Sequence, residues 1–176
     1  MAKKTITLLA WLFLFMLQAK AGSPIALKEN YNGHGYEYAT TPRIWDKARK
    51  DAEQVGGYLA CIASLAENEF IIQFIRKATN EEVPFTWIGL HDDKAEGDWK
   101  WVNGEPTSFT CWFQGEPSNH FGGENKGLIE KRENVIKWND GSGDRRLYYV
   151  IEYDHEIDLD ETAGKGVSNS NLRSTR

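Results

Sequence analysis

The chain has 176 residues, with 21 basic and 26 acidic side chains, a formal charge of −5 and seven tryptophans. That length holds one domain with tails, and an acidic balance without a basic cluster excludes nucleic acid and anionic membranes as partners. Two cysteines are too few for a stapled scaffold, and none of the four histidines stands at zinc-binding spacing from another histidine or a cysteine.

Residues 1–21 read as a secretory signal peptide. Lys3 and Lys4 precede the apolar run ITLLAWLFLFML (6–17), and Gln18-Ala19-Lys20-Ala21 supplies a small-x-small cleavage pattern. The run is shorter than the about 20 apolar residues that span a bilayer comfortably; an uncleaved anchor is the alternative. Cleavage after Ala21 leaves 18 basic against 26 acidic residues, a formal charge of −8 that suits divalent cations. The expectation is a secreted protein, extracellular or periplasmic, with no membrane span once the signal is removed. Residues 22–30 read as a linker and 31–154 as the folded unit, in which lie six tryptophans, Trp45 to Trp138. From His155 the chain turns polar and loses aromatic residues and periodicity, so 155–176 reads as a disordered tail.

Inside the folded unit, TTPRIWDKARKDAEQVGG predicts a helix with Thr41 as N-cap, Pro42 in the first turn and Gly56 as the stop. Ile44, Ala48, Ala52 and Val55 form its apolar face. YLACI (58–62) reads as a buried strand. Ser64-Leu-Ala-Glu67 is a capping box opening a second helix, whose stripe is Phe70, Ile71, Phe74, Ile75 and Ala78. TWIGL (86–90) is another strand. Residues 91–127 then lose periodicity, while Trp99, Trp101 and Trp112 argue that this long segment is ordered and functional. Strands resume in GLIE, NVIKW and LYYVIEY. Two helices, antiparallel strands and one long ordered loop make an α+β domain. Cys61, within an apolar run, reads as a buried thiol, with a Cys61–Cys111 disulfide as the alternative.

The long loop carries the chemistry. GEPSNHFGGEN (115–125) gathers Glu116, Ser118, Asn119, Glu124 and Asn125 among glycines, and WND (138–140) adds Asn139 and Asp140. Oxygen-bearing side chains in this company fit a hard cation; a plain polar surface loop is the alternative. Calcium takes 6–8 oxygen ligands from carboxylates, amides, hydroxyls and carbonyls. Three carboxylates, Glu116, Glu124 and Asp140, would neutralise its double charge.

The order W45DKARKDAEQVGGYLACIASLAENEFI, WIGLHDDKAEGDWKWVNGEP, W112FQGEPSNHFGGEN, KWND and YYVIEYD resembles a C-type lectin-like domain over about residues 34–154. The resemblance implies a double-loop α+β fold whose long loop binds Ca2+, with a cis peptide before Pro117. It implies a metal site formed by Glu116, Ser118, Glu124, Asn139 and Asp140, and a carbohydrate site formed by these residues and His120. Two neighbouring sugar hydroxyls would complete the ion's shell while exchanging charge-assisted hydrogen bonds with its ligands. The implied partner is a glycan or glycoprotein. A single exposed site of this kind is weak, so useful affinity calls for several at once. An auxiliary metal site is implied at Asp92, Glu96, Asn119, Glu124 and Asn125, less negative than usual because Asn119 and Asn125 stand where the family often has aspartates.

Two departures bear on this reading. The family's usual disulfide positions hold Ala52 and Ile151, which as apolar replacements would bury against each other. The triplet is Glu-Pro-Ser, and Ser118 offers one hydroxyl where an Asn would offer a carbonyl and an amide. Ser118 is a shorter and poorer calcium ligand, and the change leaves mannose-, fucose- and galactose-like ligands open. The rival function is protein, ice or surface binding on the same fold, in which the Glu and the WND pair are commonly lost; both are retained here. An enzyme is disfavoured. Glu116 and Glu124 would both be ionised in an open polar loop, whereas a glycosidase needs one carboxyl with a raised pKa.

Overall fold

A computed structural model describes residues 24–120 and 122–159. The expected signal peptide (1–21) and the part of the expected tail beyond 159 lie outside the described residues. Among the described residues ten elements follow in order: β1 (Lys28–Tyr31), β2 (His34–Arg43), α1 (Trp45–Gln54), β3 (Tyr58–Leu59), α2 (Leu65–Ala78), β4 (Thr86–His91), β5 (Lys100–Trp101), β6 (Lys126–Arg132), β7 (Val135–Gly141) and β8 (Leu147–Tyr153). The sheet runs β1-β2-β8-β4-β6-β7, with β3 pairing β8 and β5 pairing β4. Every pairing is antiparallel except β4 with β8.

Strand periodicity sorts the core into two clusters. On β8, Tyr149, Ile151 and Tyr153 join Trp45, Ala48 and Ala52 of α1, while Val150 joins Ile71, Phe74 and Ile75 of α2. Successive strand residues point to opposite faces, so each helix covers one face of β8. Ala52 and Ile151 are both buried in the α1 cluster, as expected of apolar replacements. Cys61 and Cys111 are both free thiols.

The second helix starts as its sequence predicts. Ser64 is the N-cap and accepts from the Glu67 N–H at 3.2 Å, while Glu67 Oε2 accepts from Ala63 N–H at 2.8 Å. The first helix starts later than expected. Thr41 and Pro42 belong to β2, which pairs with β8 as far as Arg43↔Leu147, and Ile44 is the N-cap without a side-chain bond. Pairing with β8 outweighs the local cap signal, and the Pro42 ring falls within a register shift between Ala39 and Arg43, where its missing N–H costs no ladder bond. Gly56 ends the helix at φ +84°, a conformation that favours glycine. The strand expected over 58–62 narrows to Tyr58–Leu59.

The ends of the unit are tied in further than the sequence suggests. β1 begins inside the expected linker, at Lys28, and Ile25 N–H bonds Ala78 O at 2.8 Å. Beyond β8, Ile157 exchanges two bonds with the Asn30 side chain, at 2.9 and 3.0 Å, inside the segment read as the start of a tail. Asn30 satisfies the backbone of Ile157 in the manner of a strand neighbour, a pairing invisible to hydropathy. Among the described residues no helix is long and apolar enough to cross a membrane.

Candidate functional site

The floor of the site is Trp138 on β7. Its ring is fully buried, and its indole N–H donates to Asn68 Oδ1 of α2 at 2.8 Å. Trp101, Phe109 and Trp112 meet it edge-on, with centroids 5.6, 5.6 and 5.8 Å away. The segment 111–113 docks beside the strand through Trp138 N–H to Cys111 O (2.8 Å) and Phe113 N–H to Trp138 O (2.9 Å). This is how the long loop stays ordered with little regular structure: aromatic burial and backbone bonds to one strand replace a ladder of its own.

Past this anchor the chain turns at Phe113–Glu116, and the Glu116–Pro117 peptide is cis. The loop then reaches Asp140. This carboxylate is fully buried, and it accepts from the backbone N–H groups of Ser118 (3.1 Å) and Asn119 (2.6 Å). Two successive N–H groups converging on one anion stabilise a bend of this kind. Asn119 takes φ +45°, which asparagine tolerates, and its Oδ1 accepts from Gly123 N–H (2.6 Å) and Glu124 N–H (3.1 Å). Glu124 Oε2 in turn accepts from the His120 N–H at 2.9 Å.

Ser118, Asn119, Asp140 and, through Asn119, Glu124 are thus joined in one hydrogen-bonded loop, with Glu116 two residues before Ser118 and Asn139 next to Asp140 on β7. Their roles differ from a simple cage. Asp140 and Glu124 both hold loop backbone, and Ser118 contributes its N–H. No group of three His, Cys, Asp or Glu side chains among the described residues is arranged to hold a metal. Yet Glu116 Oε2 and Asn139 Oδ1 are buried acceptors with no hydrogen-bond partner among the described residues. Buried polar groups are nearly always paired, so two orphan oxygens, one within the acidic loop and one on the strand residue preceding Asp140, are acceptors of the kind a hard cation takes. Carboxylate oxygens that already accept one N–H retain a lone pair for coordination.

Glu116 has a neighbour the sequence reading missed. Arg132, the last residue of β6, donates from Nη2 to Glu116 Oε1 at 3.0 Å, and from Nε and Nη2 to Glu130 at 2.9 and 3.3 Å. Its guanidinium lies over the Phe113 ring, 4.3 Å from the centroid. Burial works to raise the Glu116 carboxyl, but Ser118 and Arg132 outweigh it and hold the group below the usual range. Within KREN at a hairpin tip, Arg132 carries no sequence signal of this role.

The expected auxiliary residues are brought together in part. Asp92 is buried; its Oδ2 accepts from Gly97 N–H at 2.8 Å, and its Oδ1 has no partner among the described residues. Its backbone N–H bonds Asn125 O at 3.3 Å, and the Asn119 amide donates to Glu96. Lost solvation, then the charges of Asp92 and Asp140, push the Glu96 carboxyl up. Negative charge therefore gathers here, and among the described residues no basic side chain is ion-paired with Glu96. Trp99 packs against Trp112, with ring centroids 4.9 Å apart.

Comparison with known proteins agrees with this architecture. The family model described as "Lectin C-type domain" matches residues 41–152. The perlucin-like protein of Mytilus galloprovincialis is 32% identical over 126 residues, covering 68% of this chain and 80% of that protein. The alpha-N-acetylgalactosamine-specific lectin of Patiria pectinifera is 31% identical, covering 69% of this chain and 75% of its own. Among solved structures, the cow C-type carbohydrate-recognition domain of CD23, determined in the presence of a GlcNAc2Man3 oligosaccharide, aligns at 26% identity with a TM-score of 0.63, covering 71% of this chain and 91% of that one. Herring type II antifreeze protein aligns with a TM-score of 0.64 at 19% identity, over 71% and 94% of the two chains, a likeness of fold alone.

Proposed function

The chain belongs to the C-type lectin domain family, and we propose that within it the chain acts as a calcium-dependent carbohydrate-binding domain. Members of this family are non-enzymatic binding proteins, and this chain is not an enzyme. The observation that carries the proposal is two orphan oxygens, Glu116 Oε2 in the loop that Asp140 ties down and Asn139 Oδ1 on the strand residue preceding Asp140.

Glu116 and Asn139 would hold the ion first, with Asp140, Glu124 and Ser118 adding oxygen through lone pairs their loop bonds leave free. Bound calcium would present coordination positions to two neighbouring sugar hydroxyls. The protein's own part is to keep those positions fixed: Trp138 and Asn68 hold β7, and Asp140 holds the loop. Asn139 supplies an amide whose N–H groups can donate to sugar oxygens, and His120 stands within the same loop. Asp92, Glu96, Asn119, Glu124 and Asn125 would serve an auxiliary ion, for which the orphan Asp92 Oδ1 is the supporting observation. The partner is then a glycan or glycoprotein met after secretion.

A second reading, protein or surface binding without sugar, is favoured by the lack of three converging metal-ligating side chains among the described residues. Calorimetric calcium titration of the chain without its first 21 residues, beside Glu116→Gln and Asp140→Asn, separates the two. Saturable binding that both substitutions weaken at least tenfold supports the lectin reading, and glycan-array binding abolished by chelator completes it. Heat surviving both substitutions points to the auxiliary ion alone. An absence of binding at millimolar calcium moves protein or surface recognition to the front.

A further inference from the structure

Glu116 has two carboxylate oxygens, and the fold treats them differently. Oε1 is taken by Arg132 at 3.0 Å, while Oε2 is buried without a partner among the described residues. Arg132 is itself fixed on three sides. Glu130 accepts from Nε and Nη2, Glu116 accepts from Nη2, and the Phe113 ring lies beneath the guanidinium. Both hydrogens of Nη2 are thereby used. A fork held this way behaves as a fixed wall rather than a wandering surface charge.

We infer that Arg132 is a positioning residue that limits Glu116 to one oxygen at the site, and so acts as a brake on both ion and sugar binding. This rests on the lectin reading above. If Glu116 serves calcium through Oε2, a sugar hydroxyl seeking its other oxygen must displace Arg132. The guanidinium also places a positive charge beside a residue meant to attract a cation. Both effects weaken the site, and both act through Glu116 without Arg132 touching ion or sugar. Ligands that do not need the second Glu116 oxygen are disfavoured less, so the brake also selects among hydroxyl arrangements.

The test compares wild type, Arg132→Met and Arg132→Lys in two measurements: calcium affinity by calorimetry, then binding of free mannose and galactose at saturating calcium. Arg132→Met removes the charge and the fork while keeping apolar contact with Phe113. Arg132→Lys keeps the charge and one donor for Glu116. Thermal melting in chelator identifies any variant that loses its fold, and Arg132→Gln then replaces it. The expected result is that Arg132→Met binds calcium and at least one sugar about threefold or more tighter, while Arg132→Lys stays near wild type. Calcium binding that appears only in Arg132→Met also supports the brake. Unchanged or weaker binding in a folded Arg132→Met, with wild type binding calcium, overturns the brake and leaves the lectin reading intact. Calcium silence in every variant overturns both.

Discussion

The buried carboxylate of Asp140 accepts the backbone N–H of Asn119 at 2.6 Å, across 21 positions of sequence, and its other oxygen takes Ser118 N–H at 3.1 Å. A strand residue thus dictates the shape of the loop whether or not an ion is present. Asp140→Ala removes both acceptors and leaves two N–H groups to find others, at an expected cost of about 2–4 kcal/mol. Denaturant unfolding in chelator measures this without any contribution from calcium. A cost below about 0.5 kcal/mol would show that the clamp is not structural.

Asn68 joins the second helix to the floor of the site. Its Oδ1 is the acceptor for the Trp138 indole N–H at 2.8 Å, and its amide approaches Cys111 Sγ at 3.8 Å. Asn68→Ala should destabilise by about 1–3 kcal/mol, the range for leaving a buried donor unsatisfied. The unfolding midpoint in guanidinium reads it directly.

Gly89 of β4 lies where no side chain fits. A Cβ there would come 2.4 Å from Leu59 O and 2.8 Å from Val102 Cγ2, and the first of these is backbone that cannot swing aside. Gly89→Ala is expected to cost at least about 2 kcal/mol. Near-wild-type melting would mean that the segment after β3 moves away from β4 more easily than the 2.8 Å bond from Gly89 N–H to Ala60 O implies.

Glu152 gives the fold a pH dependence. It is buried at the end of β8, accepts Cys61 N–H at 2.8 Å and stands 3.0 Å from His34 Nδ1. Burial, followed by the charge of Glu67 and Glu105, raises its carboxyl to about 8 despite the Cys61 bond. The folded state therefore binds a proton that the unfolded chain releases near its ordinary value of 4.5. That contribution is fully present below about pH 4.5 and is lost as pH climbs through about 8. Melting between pH 5 and 8.5 should show wild type losing stability relative to Glu152→Gln, by on the order of 4 kcal/mol across the window. Parallel pH profiles for the two proteins would remove Glu152 as the source.

Much of the fold was legible because its signals are local. The Ser64–Glu67 box, the stripe from Phe70 to Ala78 and the alternation of LYYVIEY each encode an element within a few residues. Thr41 misled because the same few residues also had a strand partner, Leu147, more than a hundred positions away. The site divides in the same manner. The oxygen-rich composition of 115–125 and of WND pointed to a loop and a strand that the fold brings together through Asp140. Which oxygens are used up and which are left over depends on Arg132, Asn68 and backbone N–H groups that no composition displays. Asn68 alone left a trace, a polar residue three positions before Ile71 on an otherwise apolar helix face.

Four indoles, Trp99, Trp112, Trp138 and Trp101, form a chain with centroid spacings of 4.9, 5.8 and 5.6 Å, running from the long loop to the strand beneath it. Rings this close and this differently tilted share their electronic transitions, so they act optically as one asymmetric chromophore. Opening of the loop would break that chromophore while the sheet kept its far-ultraviolet signal. The near-ultraviolet circular dichroism band can therefore report loop detachment separately from global unfolding, without a label.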